Sequence, residues 1–231
     1  AARYVSSPAE VDEVLEKATA LLKNGGVLAL KGLGGFHLAA NAKDAEAVKR
    51  LRERKHRYAK PLALMMKDID QVKRYCSVTP EEVSLLSGAR HPIVILKALP
   101  GKLPDVLSPG LNTLGVMLPY TPLHHLIMDK VEFPLVMTSG NVSEEPICKE
   151  NDEALVALEN IADGFLIHNR PIVNRIDDTV CFYAAQGERM VRRARGYAPE
   201  PVRLIKSAPP LIACGAFYKN TFCLAQGEYA F

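Results

Sequence analysis

The sequence lacks the features that hold structural metals, build disulfide frameworks or cross membranes. Its five cysteines are scattered, with no C-x-x-C pair and no Cys/His cluster at zinc spacing, so we expect no metal site. No segment approaches the ~20 apolar residues of a membrane span, and the N-terminus lacks the basic and then apolar pattern of a signal peptide. An odd number of dispersed cysteines fits reduced thiols, so the sequence predicts a soluble, cytoplasmic protein.

A large net charge is also absent. The 231 residues are 48% hydrophobic and 24% charged and carry a formal net charge of only +3, which is ordinary for a globular chain. Residues 49–60 nevertheless hold seven lysines and arginines against one acid, Glu53, which makes this segment +6 and leaves −3 for the rest. Charge confined to one segment indicates a local anion site more than a surface coated for nucleic acid.

The hydrophobic pattern alternates between helices and strands. An amphipathic helix is predicted after the N-cap Ser7, followed by a buried strand, "VLALKG". The segment "GLGGFHLAANA" is predicted to be a glycine-rich connection into a second helix, "DAEAVKRLRERK". Similar patterns, among them a short capped helix in "TPEEVSLLSG", continue to a hairpin at Gln186-Gly187. We therefore expect an α/β fold with an open sheet of mixed direction.

The character of the chain changes after Pro201. The stretch "SAPP" is typical of a linker, and the residues that follow show two short strand patterns with no helix. About twenty-five residues cannot bury a core of their own. We therefore predict one domain over residues 1–205, and over 206–231 a linker with the opening hairpin of a second, truncated domain.

The basic segment divides by helical angle. Lys55 lies on the same stripe as Val48 and Leu51, so its side chain is predicted to point into the protein, where a lysine needs a partner. Arg57 and Lys60 follow at the same helix end. A compact group of Lys55, Arg57 and Lys60 suits the phosphates of one nucleotide.

The other arginines of the helix, Arg50, Arg52 and Arg54, are predicted to form a solvated face. A double-stranded RNA-binding surface is the alternative reading of the whole basic segment. Only one aromatic residue, Tyr58, lies in it, whereas long nucleic-acid tracks usually carry several stacking platforms.

Two motifs resemble those of the YrdC family. The segment "KHRYAKPLALMM" is similar to the family's K-x-R…(N/K)-P-L motif, and "TSGN" to its S-x-N motif. From about Ser7 to Leu204 the sequence resembles the YrdC-like domain of the HypF carbamoyltransferases of nickel–iron hydrogenase maturation. The final "LIACGAFYKNTFCL" resembles the start of the sugar-kinase-like carbamoyl-transfer domain that follows it in that family.

This resemblance implies a YrdC-like twisted open mixed β-sheet flanked by helices, with a basic concave nucleotide-binding cavity. It also implies ATP-dependent adenylation of carbamate to carbamoyl-AMP with release of pyrophosphate, using Mg²⁺. In the family an upstream acylphosphatase domain releases the carbamate from carbamoyl phosphate, and HypE accepts the carbamoyl group. Since that upstream domain is absent, we expect this chain to be a middle piece.

Two departures separate the chain from the threonylcarbamoyl-AMP synthases, the alternative within the family. Where they have a (D/E)-T-V-Y-G-type loop, this chain has "LGGFH". Where they place an arginine that grips the amino-acid carboxylate, this chain has Met117. A bound threonine would have an unpaired carboxylate, which is costly in a closed site. These differences favour carbamate.

The remaining site predictions rest on turns and strand ends. Ser139 and Asn141, with Thr138, follow a strand and are predicted to bind phosphate oxygen or its Mg²⁺. The resemblance implies that an arginine near the last hairpin contacts nucleotide, with Arg192 and Arg195 ranked first. The alternative is that these are edge-strand charges that discourage aggregation.

Lys31 and His37 flank the glycine loop. The resemblance favours them as neighbours of the carbamoyl end, although a plain tight turn explains the glycines as well. Asp177-Asp178 could assist Mg²⁺, but a solvated pair at the start of a strand is the favoured interpretation. His124-His125 is predicted to be structural rather than metal-binding.

Overall fold

The computed structural model describes residues 4–142, 145–215 and 222–231. The described helices are α1 Pro8–Lys23, α2 Ala45–Arg54, α3 Ile69–Tyr75, α4 Pro80–Ser87, α5 Pro122–Lys130 and α6 Asn151–Ala157, with a 3₁₀ turn at Asp105–Leu107. The first eight strands are β1 Leu28–Lys31, β2 Phe36–Asn41, β3 Ala63–Met65, β4 Cys76–Ser77, β5 Ile93–Ala98, β6 Thr113–Met117, β7 Leu135–Ser139 and β8 Gly164–Leu166. The last four are β9 Val180–Ala184, β10 Gly187–Arg192, β11 Val202–Cys214 and β12 Phe222–Ala230.

Ten of these strands form one mixed sheet. Their order is β10, β9, β5, β6, β3, β7, β2, β1, β8, and the short β4 pairs with β5. The pairs β1/β8, β3/β6 and β5/β9 are parallel, while the other neighbours are antiparallel. The predicted mixed α/β sheet is therefore confirmed.

Short polar caps start the helices where the sequence predicted them. The Ser7 hydroxyl accepts from the backbone N–H of Glu10 at the start of α1. Thr79 and Glu82 form a reciprocal capping box on α4. The Asp44 carboxylate caps α2, the helix that carries the basic segment. These caps satisfy backbone donors that have no partner within the helix.

The sheet is covered on both faces. One apolar cluster includes Phe36 and Leu38 with Val48 and Leu51 of α2, and the other includes Leu30 and Met137 with residues of α1 and α5. Strands that are buried on both faces show no alternation of polar and apolar residues. A site that opens onto the sheet therefore has these buried central strands as its floor.

The structure departs from the predicted local structure in three places. The glycine-rich connection contains strand β2, which pairs with both β1 and β7. The predicted hairpin between β9 and β10 is present, but its turn lies one residue earlier, at Ala185 and Gln186, both with positive φ, and Gly187 already pairs with Ala184. Helix α3 was not predicted, because it has only seven residues.

The tail forms a long two-stranded hairpin. Strand β11 runs through the predicted linker, with register shifts on either side of Ala208. Prolines are tolerated there because, among the described strands, β11 pairs only with β12, and a proline needs to donate no ladder hydrogen bond on the other side. Residues 216–221 of the predicted hairpin lie outside the described residues. The division into domains at residue 205 stays a prediction.

None of the described helices is both long enough and apolar enough to span a membrane.

Candidate functional site

A cavity of about 360 Å³ opens over the middle of the sheet. Strands β2, β3, β5, β6, β7, β9 and β10 contribute to its lining. Part of the wall is apolar, with Ile93, Ile95, Met137 and Val180. Polar groups from separate parts of the chain also line it, among them Arg57, Thr138, Ser139, Asp177, Asp178 and Arg192. An apolar wall with a few convergent polar groups is the usual form of a small-molecule site.

The turn after β7 is rigid. The Ser139 hydroxyl donates to Asn141 Oδ1 at 2.7 Å, and Asn141 Nδ2 donates to the carbonyl of Glu145 at 2.6 Å. Between them Gly140 packs so closely on strand β2 that an added Cβ would lie 2.6 Å from Phe36 Cβ. Only glycine fits at this position, so the packing requires the glycine of "TSGN".

The buried Lys55 side chain donates hydrogen bonds to this turn. It is 1% exposed, which confirms the predicted inward direction. Its ammonium donates to the carbonyls of Ser139 and Asn141, both at 2.6 Å, and to Asn141 Oδ1 at 2.8 Å. These three acceptors match the three donors of an ammonium group. In this structure Lys55 therefore orients the turn, and direct contact with phosphate stays a prediction.

Arg57 lines the cavity with an incompletely paired guanidinium. Its Nη2 donates to the carbonyl of Pro61 at 2.9 Å, while its Nε is buried without a hydrogen-bond partner among the described residues. Burial lowers the pKa of Arg57, and the charges of Arg52 and Arg192 lower it further. An anion in the cavity would relieve this repulsion and satisfy the buried donor.

Arg52 was wrongly predicted to lie on a solvated face. It is 4% exposed and donates to four backbone carbonyls, those of Val106, Arg57, Lys60 and Leu107. The guanidinium thus joins α2 to the loop that carries Arg57. Its position on the same face of the helix as Val48 could have indicated burial. Its carbonyl partners around residue 106 could not be predicted from the sequence.

The rest of the basic segment is partly neutralised. Arg54 forms an ion pair with Asp163 at 2.8 Å, and Lys49 forms one with Glu46 at 2.7 Å. Arg50 donates to the carbonyl of Gly25. Lys60 is exposed beside Pro61, which lines the cavity. The predicted phosphate contact of Lys60 is therefore untested.

Arg192 and Arg195 occupy different environments. Arg192 lines the cavity, is partly exposed and lies 3.9 Å from an Asp177 carboxylate oxygen. Arg195 is 9% exposed, donates from Nε to Asp178 Oδ1 at 2.9 Å and forms an ion pair with the same oxygen through Nη2 at 2.9 Å. The prediction of a solvated aspartate pair was thus wrong for Asp178.

Lys31 and His37 are separated by the sheet. The β1/β2 register pairs Leu30 with His37 and Lys31 with Phe36, and alternation puts the two predicted residues on opposite faces. His37 lines the cavity over the sheet, whereas Lys31 lines a second cavity of about 380 Å³ and donates to the carbonyl of His168. Burial lowers the pKa of Lys31, and Glu150 opposes this effect.

A residue that sequence reasoning missed links His37 to Arg195. The Tyr120 hydroxyl lies 3.2 Å from His37 Nε2, and the Arg195 guanidinium covers the Tyr120 ring at 3.6 Å. His124 packs edge-on against the same ring at 4.5 Å. Tyr120 stands in "LPYTP", after a strand and before a helix, which was its only signal.

Comparison with known proteins identifies the family. Residues 20–194 match the Sua5/YciO/YrdC family model, which has the description "Telomere recombination". A carbamoyltransferase HypF from Synechocystis sp. is 48% identical over 225 residues, 96% of this chain and 29% of that protein. One from Rhodobacter capsulatus is 47% identical over 90% of this chain and 28% of that protein. The chain thus spans less than a third of the length of these relatives.

A solved structure agrees. A crystal structure of full-length HypF in the phosphate- and nucleotide-bound form matches with a TM-score of 0.87 and 56% identity, over 94% of this chain and 35% of that one. A threonylcarbamoyl-AMP synthase from Bacillus subtilis is 33% identical over only 58% of this chain and 40% of that protein. The sequence resemblance is thereby confirmed. The chain belongs to the Sua5/YciO/YrdC family, and its likeness to the HypF carbamoyltransferases extends over nearly its whole length.

Proposed function

We propose that the chain adenylates carbamate with ATP. A carbamate oxygen attacks the α-phosphorus, the bond from that phosphorus to the β-phosphate oxygen breaks, and carbamoyl-AMP and pyrophosphate form. The observation that carries this proposal is the pairing of Arg57, with its unsatisfied buried donor, and the rigid Ser139 turn in one cavity. The nucleotide-bound state of the similar HypF structure supports it.

The cavity offers distinct places for the parts of ATP. The apolar wall of Ile93, Ile95 and Val180 suits the adenine and ribose. Arg57 and Arg192 supply positive charge for the phosphates. The Ser139 hydroxyl, whose proton points to Asn141 Oδ1 in this structure, would turn that proton to a phosphate oxygen, and the Thr138 hydroxyl supplies a further polar contact.

The protein's task is to hold the reactants and neutralise charge. Carbamate is already an anionic oxygen nucleophile, so no general base is needed for the attack. In-line placement of nucleophile and α-phosphate, with cations on the developing charge, provides the rate acceleration. Lys55 and Arg52 act through the turn and the loop that they fix, and Arg57 acts on the phosphates themselves.

Mg²⁺ fits this site through the nucleotide. Among the described residues no group of three or more His, Cys, Asp or Glu side chains could hold a metal ion. Mg²⁺ commonly binds through one or two carboxylates together with substrate phosphates. Asp177, which lines the cavity near Arg192, is the carboxylate that would share the ion with the triphosphate. The ion would then neutralise charge on the departing pyrophosphate.

The wider pathway rests on the resemblance to HypF. We propose that carbamate comes from carbamoyl phosphate, and that the carbamoyl group passes to HypE in a longer protein. The first residues of a carbamoyl-transfer domain would correspond to residues 206–231.

The rival functions fit the structure less well. An RNA surface would need a continuous exposed basic track, but Arg52 and Lys55 are buried and Arg54 is paired with Asp163. For threonylcarbamate adenylation, the arginine expected at Met117 is replaced by a fully buried apolar side chain.

The test is pyrophosphate release from ATP and Mg²⁺ with freshly dissolved ammonium carbamate. We expect carbamate-dependent pyrophosphate and a product with the mass of carbamoyl-AMP, with bicarbonate alone inactive. Release that requires threonine and bicarbonate would instead establish a threonylcarbamoyl-AMP synthase. No release with either set, from a chain that binds ATP, would refute the adenylation proposal.

A further inference from the structure

One wall of the cavity carries a chain of polar groups that phosphate binding does not use. His37 lines the cavity and is 8% exposed, and the β2/β7 register pairs it directly with Ser139. Directly paired residues project to the same side of a sheet, about 5 Å apart. His37 therefore lies beside the turn that is proposed to bind phosphate.

The two nitrogens of His37 have different surroundings. Nε2 lies 3.2 Å from the Tyr120 hydroxyl, while Nδ1 is buried without a hydrogen-bond partner among the described residues. Burial lowers the pKa of His37; the Arg195 charge lowers it further and Asp178 opposes both, so the ring is neutral near pH 7. A neutral imidazole has one donor and one acceptor nitrogen, so the group bound to Nε2 decides what Nδ1 can do.

The residues that pack behind the His37 ring indicate which of its two nitrogens carries the proton. Asp178 is an acceptor: it takes a hydrogen bond from Arg195 Nε and forms an ion pair with the same guanidinium, which also covers the Tyr120 ring. The Tyr120 hydroxyl interacts with this same carboxylate, and a phenolic proton is held best by an anionic acceptor. The phenolic oxygen can then accept a hydrogen bond from His37 Nε2, and in that arrangement the ring carries its proton on Nε2 and a lone pair on Nδ1.

We propose that His37 is a specificity residue for carbamate, whose amino group donates a hydrogen bond to the Nδ1 lone pair. This inference rests on the proposed function. The carboxylate oxygens of carbamate and the oxygens of the triphosphate are acceptors and cannot pair with a lone pair. The amino group of carbamate can, and this contact turns the carbamate oxygen towards the phosphate beside Ser139.

The test uses acetate, which has a methyl group where carbamate has its amino group and cannot donate. The ratio of kcat/KM for carbamate to that for acetate is measured by pyrophosphate release. His37→Phe keeps an aromatic ring but removes the acceptor, so we expect the ratio to fall by roughly 10- to 100-fold. Tyr120→Phe, which keeps the ring under Arg195, should lower it in the same direction. His125→Phe, the same change at an exposed position on α5, should leave it unchanged.

A second readout does not depend on activity. Long-range ¹H–¹⁵N spectra should show the His37 proton on Nε2, and Tyr120→Phe should weaken that preference. If the proton lies on Nδ1, or if His37→Phe leaves the carbamate-to-acetate ratio unchanged while carbamate is still adenylated, the inference is wrong and the proposed function stands. If the wild-type chain adenylates neither acid, the proposed function fails, and the spectrum alone decides the tautomer.

Discussion

The ammonium of Lys55 lies 2.8 Å from the side-chain oxygen of Asn141, 86 residues further along the chain. This bond joins the end of α2 to the turn after β7, so the two motifs that carry the family resemblance meet in one place. The lysine donates three hydrogen bonds to the turn, two to backbone carbonyls and one to the Asn141 side chain. Each motif therefore depends on the other.

Lys55→Met should damage both stability and activity. It leaves two carbonyls and the Asn141 side chain without their charged donor, which we expect to cost about 2–3 kcal/mol in the free energy of unfolding. Urea denaturation measures this loss, and calorimetry should show weaker ATP binding because the turn is released. Lys49→Met, at an exposed position on the same helix, is the control. A Lys55→Met chain with normal stability and ATP affinity would show that the turn does not depend on the lysine.

Arg57→Met should separate binding from stability. Burial and two neighbouring cations already disfavour the Arg57 charge, so its removal should leave the free energy of unfolding unchanged or raise it. ATP affinity should fall at least about tenfold, because a charged contact to phosphate is lost. Arg74→Met, at an exposed position in α3, should change neither quantity. Equal ATP affinity for Arg57→Met and the wild type would place the phosphates elsewhere.

Arg52→Lys tests whether the guanidinium shape matters. Its four carbonyl partners need the planar fork of arginine, and a lysine cannot reach them all. We expect a loss of about 2–3 kcal/mol in the free energy of unfolding and faster hydrogen exchange over residues 57–62. Arg54→Lys, in a half-exposed ion pair with Asp163, should cost less than about 1 kcal/mol. Similar losses in the two variants would contradict this account of Arg52.

His124 should make stability depend on pH. It is 1% exposed, neither ring nitrogen has a partner among the described residues, and burial with the nearby His37 and Arg195 holds its pKa well below 6.5. As the pH falls, His124 becomes protonated in the unfolded chain but stays neutral in the folded chain. The free energy of unfolding is therefore unaffected well above pH 6.5 and falls as the pH drops through that value.

His124→Phe should remove this part of the pH dependence, about 1.4 kcal/mol between pH ~7.5 and ~5.5. Urea denaturation across this range measures the slope. The exposed His125→Phe serves as control and should keep the wild-type slope. An undiminished slope in His124→Phe would mean that His124 is protonated in the folded chain.

The fold was predictable where local chemistry decides it. Ser7 and Thr79 have the cap chemistry that starts α1 and α4, and both helices begin there. Strand β2 was missed because "FHLAAN" is buried on both faces and contains no β-branched residue, so neither alternation nor composition marks it. The strand character of "SAPP" comes from pairing with β12, which no local pattern shows.

The site was predictable only in part, because a helical angle gives direction but no partner. It placed Lys55 inward correctly but could not show that the turn after β7 supplies its three acceptors. The helical angle predicted a solvated Arg52, because it gives no information on the carbonyls of Val106 and Leu107, which lie 54 and 55 residues away in sequence. It gave no reason to join Tyr120 with His37, which lie 83 residues apart.

The central claim is that ATP binds over the sheet with its phosphates between Arg57 and the Ser139 turn. A crystal structure of the chain with Mg²⁺ and a non-hydrolysable ATP analogue tests it most directly. We predict that the phosphates lie within hydrogen-bond distance of the Arg57 guanidinium and the Ser139 hydroxyl, with adenine against Ile93 and Val180. A nucleotide bound in the second cavity beside Lys31, or an empty cavity at saturating analogue, would contradict the account.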